Sequence, residues 1–376
     1  MFLTPNLQVK LFNRSVYAFH FFGVLGFIFG LLLGIFLCYA TGLQVIVILY
    51  MSLTGAATFF LLAFGAKIIT GKEVIVYYHH EIAILIMCSL ALWILRFPVL
   101  PYLDITLMGI ATFLAFGRIG CFSVGCCHGK PFKGGVMYGR EHAKKGFTSY
   151  YIDVPLLPVQ LMESAFVFLV VISGVVLIIL RFPPGTFLTV YTVIYGSFRF
   201  VIEFFRGDAE RPYFKGLSEA QWTTILLIGI SVIFAILGFM TFYWWHIVLS
   251  ALIFCAGLYM VLKGDKLTKW TNPRQLLRIE NALDLIRLGE GRRLNTSFPA
   301  TNIKIGQIEN GINLSGGEII YDGKLINHFT VSSNERNSLN ALKVEKIAKM
   351  IQQIRRLDKK IEITEKQNQV FHILFI

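Results

Sequence analysis

The sequence predicts an all-α polytopic membrane protein of about 7–8 transmembrane helices, followed by a small C-terminal α+β soluble domain. Three observations carry that expectation. Of the 376 residues, 55% are hydrophobic and 15% charged, where an ordinary soluble domain holds roughly 25% charged residues. Mean hydropathy is +0.65. Apolar windows of the length that crosses a bilayer, about 20 residues, recur through residues 1–262 and then stop. With 34 Phe against 22 acidic residues, one soluble globule could not hide its apolar surface. A soluble enzyme, a disordered chain, a collagen-like fibre and a disulfide-stapled secreted module are all excluded.

The windows fall at 17–40, 43–66, 80–97, 103–124, 158–180, 185–205, 222–242 and 244–262. The last two are parted by Tyr243, Trp244 and Trp245, an interfacial aromatic cluster. Eight spans is the expected count, and seven if one of that pair is re-entrant. No inverted duplication of spans is visible, which disfavours a secondary transporter. Residues 1–14 lack the features of a cleavable signal peptide. Four of the six cysteines lie in predicted spans, against a secreted disulfide framework.

Loop charge is lopsided. Lys10, Arg14, Lys67, Lys72, Lys130, Lys133, Arg140, Lys144, Lys145, Arg206, Arg211 and Lys215 fall on one side, Arg96 and Arg181 on the other. By the positive-inside rule this places both termini in the cytoplasm. The basic balance suits anionic lipid headgroups, and no nucleic-acid-binding pattern of cations and aromatics is present.

Residues 263–376 form the second expected domain. Thr271 or Asn272 before Pro273 starts a helix that runs to about Leu288, with Gly289 as its stop. Asn310-Gly311 and Asp322-Gly323 mark turns beside the β-branched runs Glu318–Tyr321 and Lys324–Val331. A helix at 338–357 groups Leu339, Leu342, Ile347, Met350, Ile351 and Ile354 near one face, and 360–376 reads as a strand pair. A regulatory or docking role fits this domain, which shows no catalytic constellation.

Chemistry is signalled by polar groups inside apolar spans, where each is costly and marks a candidate site. Arg199, Glu203 and Arg206, spaced by four and three, share a helical face; a structural ion pair is the plainer alternative. Gly117-Arg118-Ile119-Gly120-Cys121, followed by Gly125-Cys126-Cys127-His128-Gly129-Lys130, combines an intramembrane arginine with thiols and an imidazole at a Gly-rich helix end. A guanidinium fork matches a phosphodiester. Gln160 and Glu163 open another span on one face, where they line a cavity or cap the helix. Tyr77-Tyr78-His79-His80-Glu81 opens a further span, and either histidine would serve as general base or belong to an interfacial belt. All four features fall at the same ends of their helices.

Together these segments resemble the prolipoprotein diacylglyceryl transferases of the bacterial inner membrane, over about residues 10–242. The resemblance rests on Gly117–Gly120, Leu157–Glu163, Tyr195–Arg206 and Leu217-Ser218…Gln221-Trp222. It implies a multi-pass enzyme of lipoprotein biosynthesis that moves a diacylglyceryl group from phosphatidylglycerol, or another anionic phospholipid, to the lipobox cysteine of a prolipoprotein signal peptide. Glycerol phosphate would be released, with no metal or organic cofactor. By the resemblance Arg118 and Arg199 hold the leaving phosphate, Glu203 orients Arg199, and His79 or His80 takes the thiol proton. Tyr17, Cys121, Cys126, His128, Gln160, Glu163 and Arg206 line the substrate cavity. The family has asparagine at positions 121 and 124, glutamate at 126 and a His-Gly-Gly motif near the third span; this chain has Cys121, Val124, Cys126 and His79-His80-Glu81. The family's site faces outward, whereas the charge count points inward.

Three alternatives stay beside this reading. One is a phospholipid-modifying enzyme with a different, cytoplasmic acceptor, using Cys126 or Cys127 as nucleophile and His128 as base. Another is a lipid-binding or transport protein that does no chemistry. The third is metal binding through Cys126, Cys127, His128 and a nearby histidine, although contiguous Cys-Cys-His lacks the spacing of the usual zinc chelates.

Overall fold

A computed structural model describes residues 5–11, 14–71, 76–208, 211–268, 273–290, 305–309, 311–321, 324–335, 338–355 and 357–376. Two compact units emerge: residues 1–147, 153–206 and 211–265 form the first, and 148–152, 207–210 and 266–376 the second.

In the first unit a hairpin of β1 (Gln8–Leu11) and β2 (Arg14–Tyr17) leads into α1 (Ala18–Thr41). Then come α2 (Val45–Thr70), α3 (Tyr77–Ile94) and α4 (Val99–Val124). An extramembrane stretch follows, with β3 (Pro131–Val136) and the short α5 (Arg140–Ala143), before α6 (Val159–Ile179). The sixth span, Thr186–Phe205, joins α7 (Thr186–Val190), a π-turn at Tyr191–Tyr195, α8 (Gly196–Ile202) and a final 3-10 turn. A small hairpin, β4 (Tyr213–Phe214) and β5 (Leu217–Ser218), precedes α9 (Glu219–Ile236) and α10 (Trp244–Thr268). Among the described residues eight helices are long and apolar enough to cross a membrane, so this is a multi-pass membrane protein.

Several boundaries differ from the hydropathy windows, each for a local reason. α9 starts at Glu219 rather than 222, because Ser218 and Gln221 form a reciprocal capping box. It ends at Ile236, before the left-handed Gly238, well short of 242. α4 starts at Val99 rather than 103, because Pro98 precedes it and Pro101 sits in the first turn, where no backbone N–H is needed. α3 starts at Tyr77 rather than 80, so its polar residues are helical.

α4 is the most enclosed span, and α1 reaches it through a stripe of glycine. Gly26, Gly30 and Gly34 recur every fourth residue on one face of α1. A Cβ at Gly30 would lie 2.7 Å from the Gly109 carbonyl oxygen of α4, and one at Gly26 would lie 2.9 Å from the Phe116 Cβ. Lipid tails are as apolar as side chains, so close backbone approach and dispersion drive such packing. Gly30→Val should therefore cost about 1–3 kcal/mol of overpacking, read as earlier unfolding in a denaturing-detergent titration. The Ser164 hydroxyl donates to the Ala115 carbonyl at 2.8 Å, tying α6 to α4. Buried Asp104 accepts from the Gly185 and Leu188 amides at 2.7 and 2.8 Å. That carboxylate sits at the positive end of the sixth span and fixes its start.

The second unit holds α11 (Pro273–Glu290), β6 (Gly306–Glu309), β7 (Ile312–Tyr321), β8 (Lys324–Ser333), α12 (Ala341–Arg355), β9 (Ile361–Gln367) and β10 (Val370–Phe375). The five strands form one antiparallel sheet in the order β6-β7-β8-β10-β9. Its core joins Ile279 and Leu283 of α11, Leu314 and Val331 of the sheet, and Val344, Ile347 and Ile351 of α12. Gly289 does not stop α11, which continues to Glu290. Leu342 is 63% exposed, and Val344 and Ala348 fill the face it was expected to share. Thr271, Asn272, Asn310, Asp322 and Gly323 lie outside the described residues.

Candidate active site

The polar residues of the spans gather at one end of the bundle, where α1, α3, α6 and α9 begin and α4 and the sixth span end. Glycine makes the close approach possible. A Cβ at Gly129 would lie 2.3 Å from the Leu157 carbonyl oxygen, and one at Gly135 the same distance from that of Leu156. The chain after α4 is thereby laid against the entry to α6.

At the centre stands a ladder of buried charge. Glu163 of α6 meets Arg118 Nε of α4 at 2.9 Å and Arg199 Nη1 of α8 at 3.2 Å through one oxygen. Its other oxygen accepts from the Tyr195 hydroxyl at 2.8 Å. Arg199 Nη2 continues to Glu203 at 2.8 Å, and Glu203 in turn meets Arg206 at 3.9 Å and Arg211. Arg118, Glu163, Arg199, Glu203 and Arg206 are all buried. The π-turn at Tyr191–Tyr195 turns Tyr195 toward Glu163. Burial draws Arg211, in the loop beyond the span, down to about 10, so it stays charged at neutral pH. Arg118, Arg199, Arg206 and Arg211 thus converge on Glu163 and Glu203, a gathering of guanidiniums whose forks suit an anionic oxygen ligand.

The sequence anticipated Arg118, Arg199, Glu203 and Arg206, and the structure brings them together. It gives Glu163 a larger place than a cavity wall: one carboxylate bridges the two intramembrane arginines. Arg211 counted only as a loop cation and Tyr195 only as the start of a matching segment; neither was assigned to the site. A cation in a loop is an ordinary sight in sequence, and the π-turn leaves no mark in hydropathy.

Other candidates surround the ladder. Gln160 donates to the Cys126 carbonyl at 2.8 Å, so it holds the loop after α4 rather than capping its own helix. His128 is buried, with Nδ1 2.9 Å from the Gly129 carbonyl and its ring edge-on to Phe147. Tyr17 ends β2, and burial and then Cys126 push its phenol up. Cys121 lies on the last turn of α4. The Cys127 thiol takes hydrogen bonds from Cys121 and Cys126 and feels Arg206 and Arg118, which together hold it well below the ordinary thiol range. Burial, then Arg211, lowers Lys130.

The two histidines part company. His79 Nε2 pairs with Glu219 of α9 at 2.6 Å, and the side chain is 58% exposed. His80 is buried, its Nδ1 2.9 Å from the Val76 carbonyl, and its Nε2 has no partner among the described residues. Tyr77 and Tyr191 join their hydroxyls at 2.6 Å, and Tyr78 meets Thr224 at 2.9 Å, closing the floor between α3, the sixth span and α9.

Buried guanidiniums in such an arrangement can offset charge that grows on the leaving oxygen of an anionic ester. Comparison with known proteins points the same way. A phosphatidylglycerol–prolipoprotein diacylglyceryl transferase of Clostridium tetani is 33% identical over 153 residues, 40% of this chain and 58% of the relative. A second, from Clostridium perfringens, is 31% identical over 142 residues, 36% and 51% of the two chains. One from Dehalococcoides mccartyi is 27% identical over 160 residues, 40% and 58%. The chain therefore spans just over half the length of these relatives. The profile of the prolipoprotein diacylglyceryl transferases matches more than half of this chain, residues 7–237, and the chain belongs to that family.

Proposed function

We propose that the protein transfers a diacylglyceryl group from phosphatidylglycerol to the lipobox cysteine thiol of a prolipoprotein, in a bacterial plasma membrane. The observation that carries this reading is the convergence of two buried intramembrane guanidiniums, Arg118 and Arg199, on the single carboxylate of Glu163. A phosphodiester is an anion that two guanidinium forks match. In the reaction the acceptor sulfur forms a bond to the glycerol carbon as that carbon's bond to the phosphate oxygen breaks. The electron pair leaves with glycerol phosphate, where Arg118 and Arg199 offset the growing charge. Glu163 and Glu203 position these two guanidiniums.

The thiol proton goes to a base. His80 suits the task better than His79: with Nδ1 donating to the Val76 carbonyl, Nε2 is left as the acceptor. His79 is engaged by Glu219. Two of the cations counted in the loops, Arg206 and Arg211, are bound to Glu203. Their position thus follows from chemistry as much as from sidedness, which eases the conflict with an outward-facing site.

The test is a reconstituted reaction of purified protein, phosphatidylglycerol vesicles and a lipobox peptide with one cysteine, read by mass spectrometry. The expected result is a diacylglyceryl mass gain on the peptide. No gain beside an active relative would overturn the prolipoprotein acceptor. Phospholipid retained but never consumed would overturn catalysis itself.

A further inference from the structure

Three thiols lie beside the arginine ladder and have no part in the transfer just described. Cys121 belongs to the last turn of α4. Gly125 then turns the chain back in the left-handed region at φ 83°, and Cys127 itself stands at φ 56°. Neighbouring cysteines in an extended chain point apart; here the two left-handed residues fold Cys126 and Cys127 over Cys121. The three Sγ atoms lie within 4.8 Å of one another, and all three cysteines are free. Cys126 is exposed, which gives an ion a way in.

We propose that Cys121, Cys126 and Cys127 form a three-thiolate site for a soft divalent metal ion, zinc or its softer congener cadmium. Zinc–sulfur bonds are about 2.3 Å long, so three sulfurs around one ion stand roughly 4 Å apart, and the observed cluster needs only a small closure. Thiolate ligands select soft ions over magnesium or calcium. Three thiolates around a divalent ion carry one net negative charge, and Arg206 and Arg118 both act electrostatically on Cys127. These guanidiniums supply the outer support that such sites use. His128 is left out of the ligand set, because among the described residues the ligand atoms that cluster within 4.8 Å are the three sulfurs alone. Three protein ligands leave a fourth position open to water or to an incoming ligand. The sequence hid this site by its spacing: one thiol a helical turn before a vicinal pair matches none of the familiar chelating patterns.

The experiment is a cadmium titration of the full-length, freshly reduced protein in detergent, followed by sulfur-to-cadmium charge-transfer absorption. One equivalent should saturate the band. Cys121→Ser and Cys126→Ser should each weaken binding at least tenfold, while Cys255→Ser, in the membrane span far along the chain, should leave it unchanged. No band, or a band unaffected by Cys121→Ser, would overturn the site. So would a disulfide joining Cys121 to Cys126 or Cys127 that survives reduction. Because the readout is metal binding, failure of the transferase reading would leave this result standing.

Discussion

Arg118→Ala should lower the rate of diacylglyceryl transfer by about 10²–10³-fold, the usual loss when one preorganised charge-stabilising group is removed from an active site. Among the described residues Arg118 meets one carboxylate, Glu163, whereas Arg199 meets two. Arg118 is therefore the less neutralised guanidinium and the one with most to offer a phosphate. Its burial keeps water from screening the charge. Arg118→Lys restores the charge but not the planar fork, so it should recover part of the rate. The fall should appear in kcat as well as in KM for phosphatidylglycerol, because charge on the leaving oxygen grows in the transition state. Initial rates of peptide lipidation across a range of phosphatidylglycerol contents check both. Unchanged kcat in Arg118→Ala would remove the arginine from the chemistry.

The second large effect concerns stability. Glu163→Ala takes one carboxylate from Arg118, Arg199 and Tyr195 at once. Two buried guanidiniums are then left without their shared counter-ion, and breaking a buried pair in this way costs about 3–5 kcal/mol. Unfolding in a denaturing-detergent titration should shift accordingly. Glu163→Gln keeps an acceptor for Tyr195 and should be milder. In a double-mutant cycle with Arg118→Met the losses should be strongly non-additive, since the second change removes a charge that the first had stranded. Additive losses would mean that the two side chains act separately.

Much of this arrangement was legible in the sequence because a charged residue inside an apolar window has few ordinary explanations. Arg118, Arg199 and Glu203 announced themselves in that way. The helix count was legible for the same reason: a bilayer demands long apolar runs, and polar stretches part them. Pairing between distant segments was not legible. Nothing near His79 in the chain says that Glu219, four spans later, will take its Nε2. Nor does anything near Gln160 say that its amide will hold the Cys126 carbonyl. Helix ends were misjudged where capping overrode hydropathy, as at Ser218 and Gln221. In the C-terminal unit Leu342 was assigned to the core by periodicity, yet the first turn of α12 leaves it in solvent.

The charge ladder also bears on how the protein is made. A lone arginine or carboxylate in the middle of a helix raises the cost of leaving the translocon by about 2.5–3.5 kcal/mol. The ribosome delivers Arg118 first, then Glu163, and last Arg199 with Glu203 four residues behind. Each charged helix made after α4 therefore finds a counter-ion already in the bilayer, and the sixth span carries a second one within itself. Order of synthesis thus lowers the barrier to inserting the sixth span, one of the two least apolar of the eight. Exchanging Glu163 for an apolar residue would then be felt during biogenesis, before any substrate arrives, as a sixth span that lingers at the translocon.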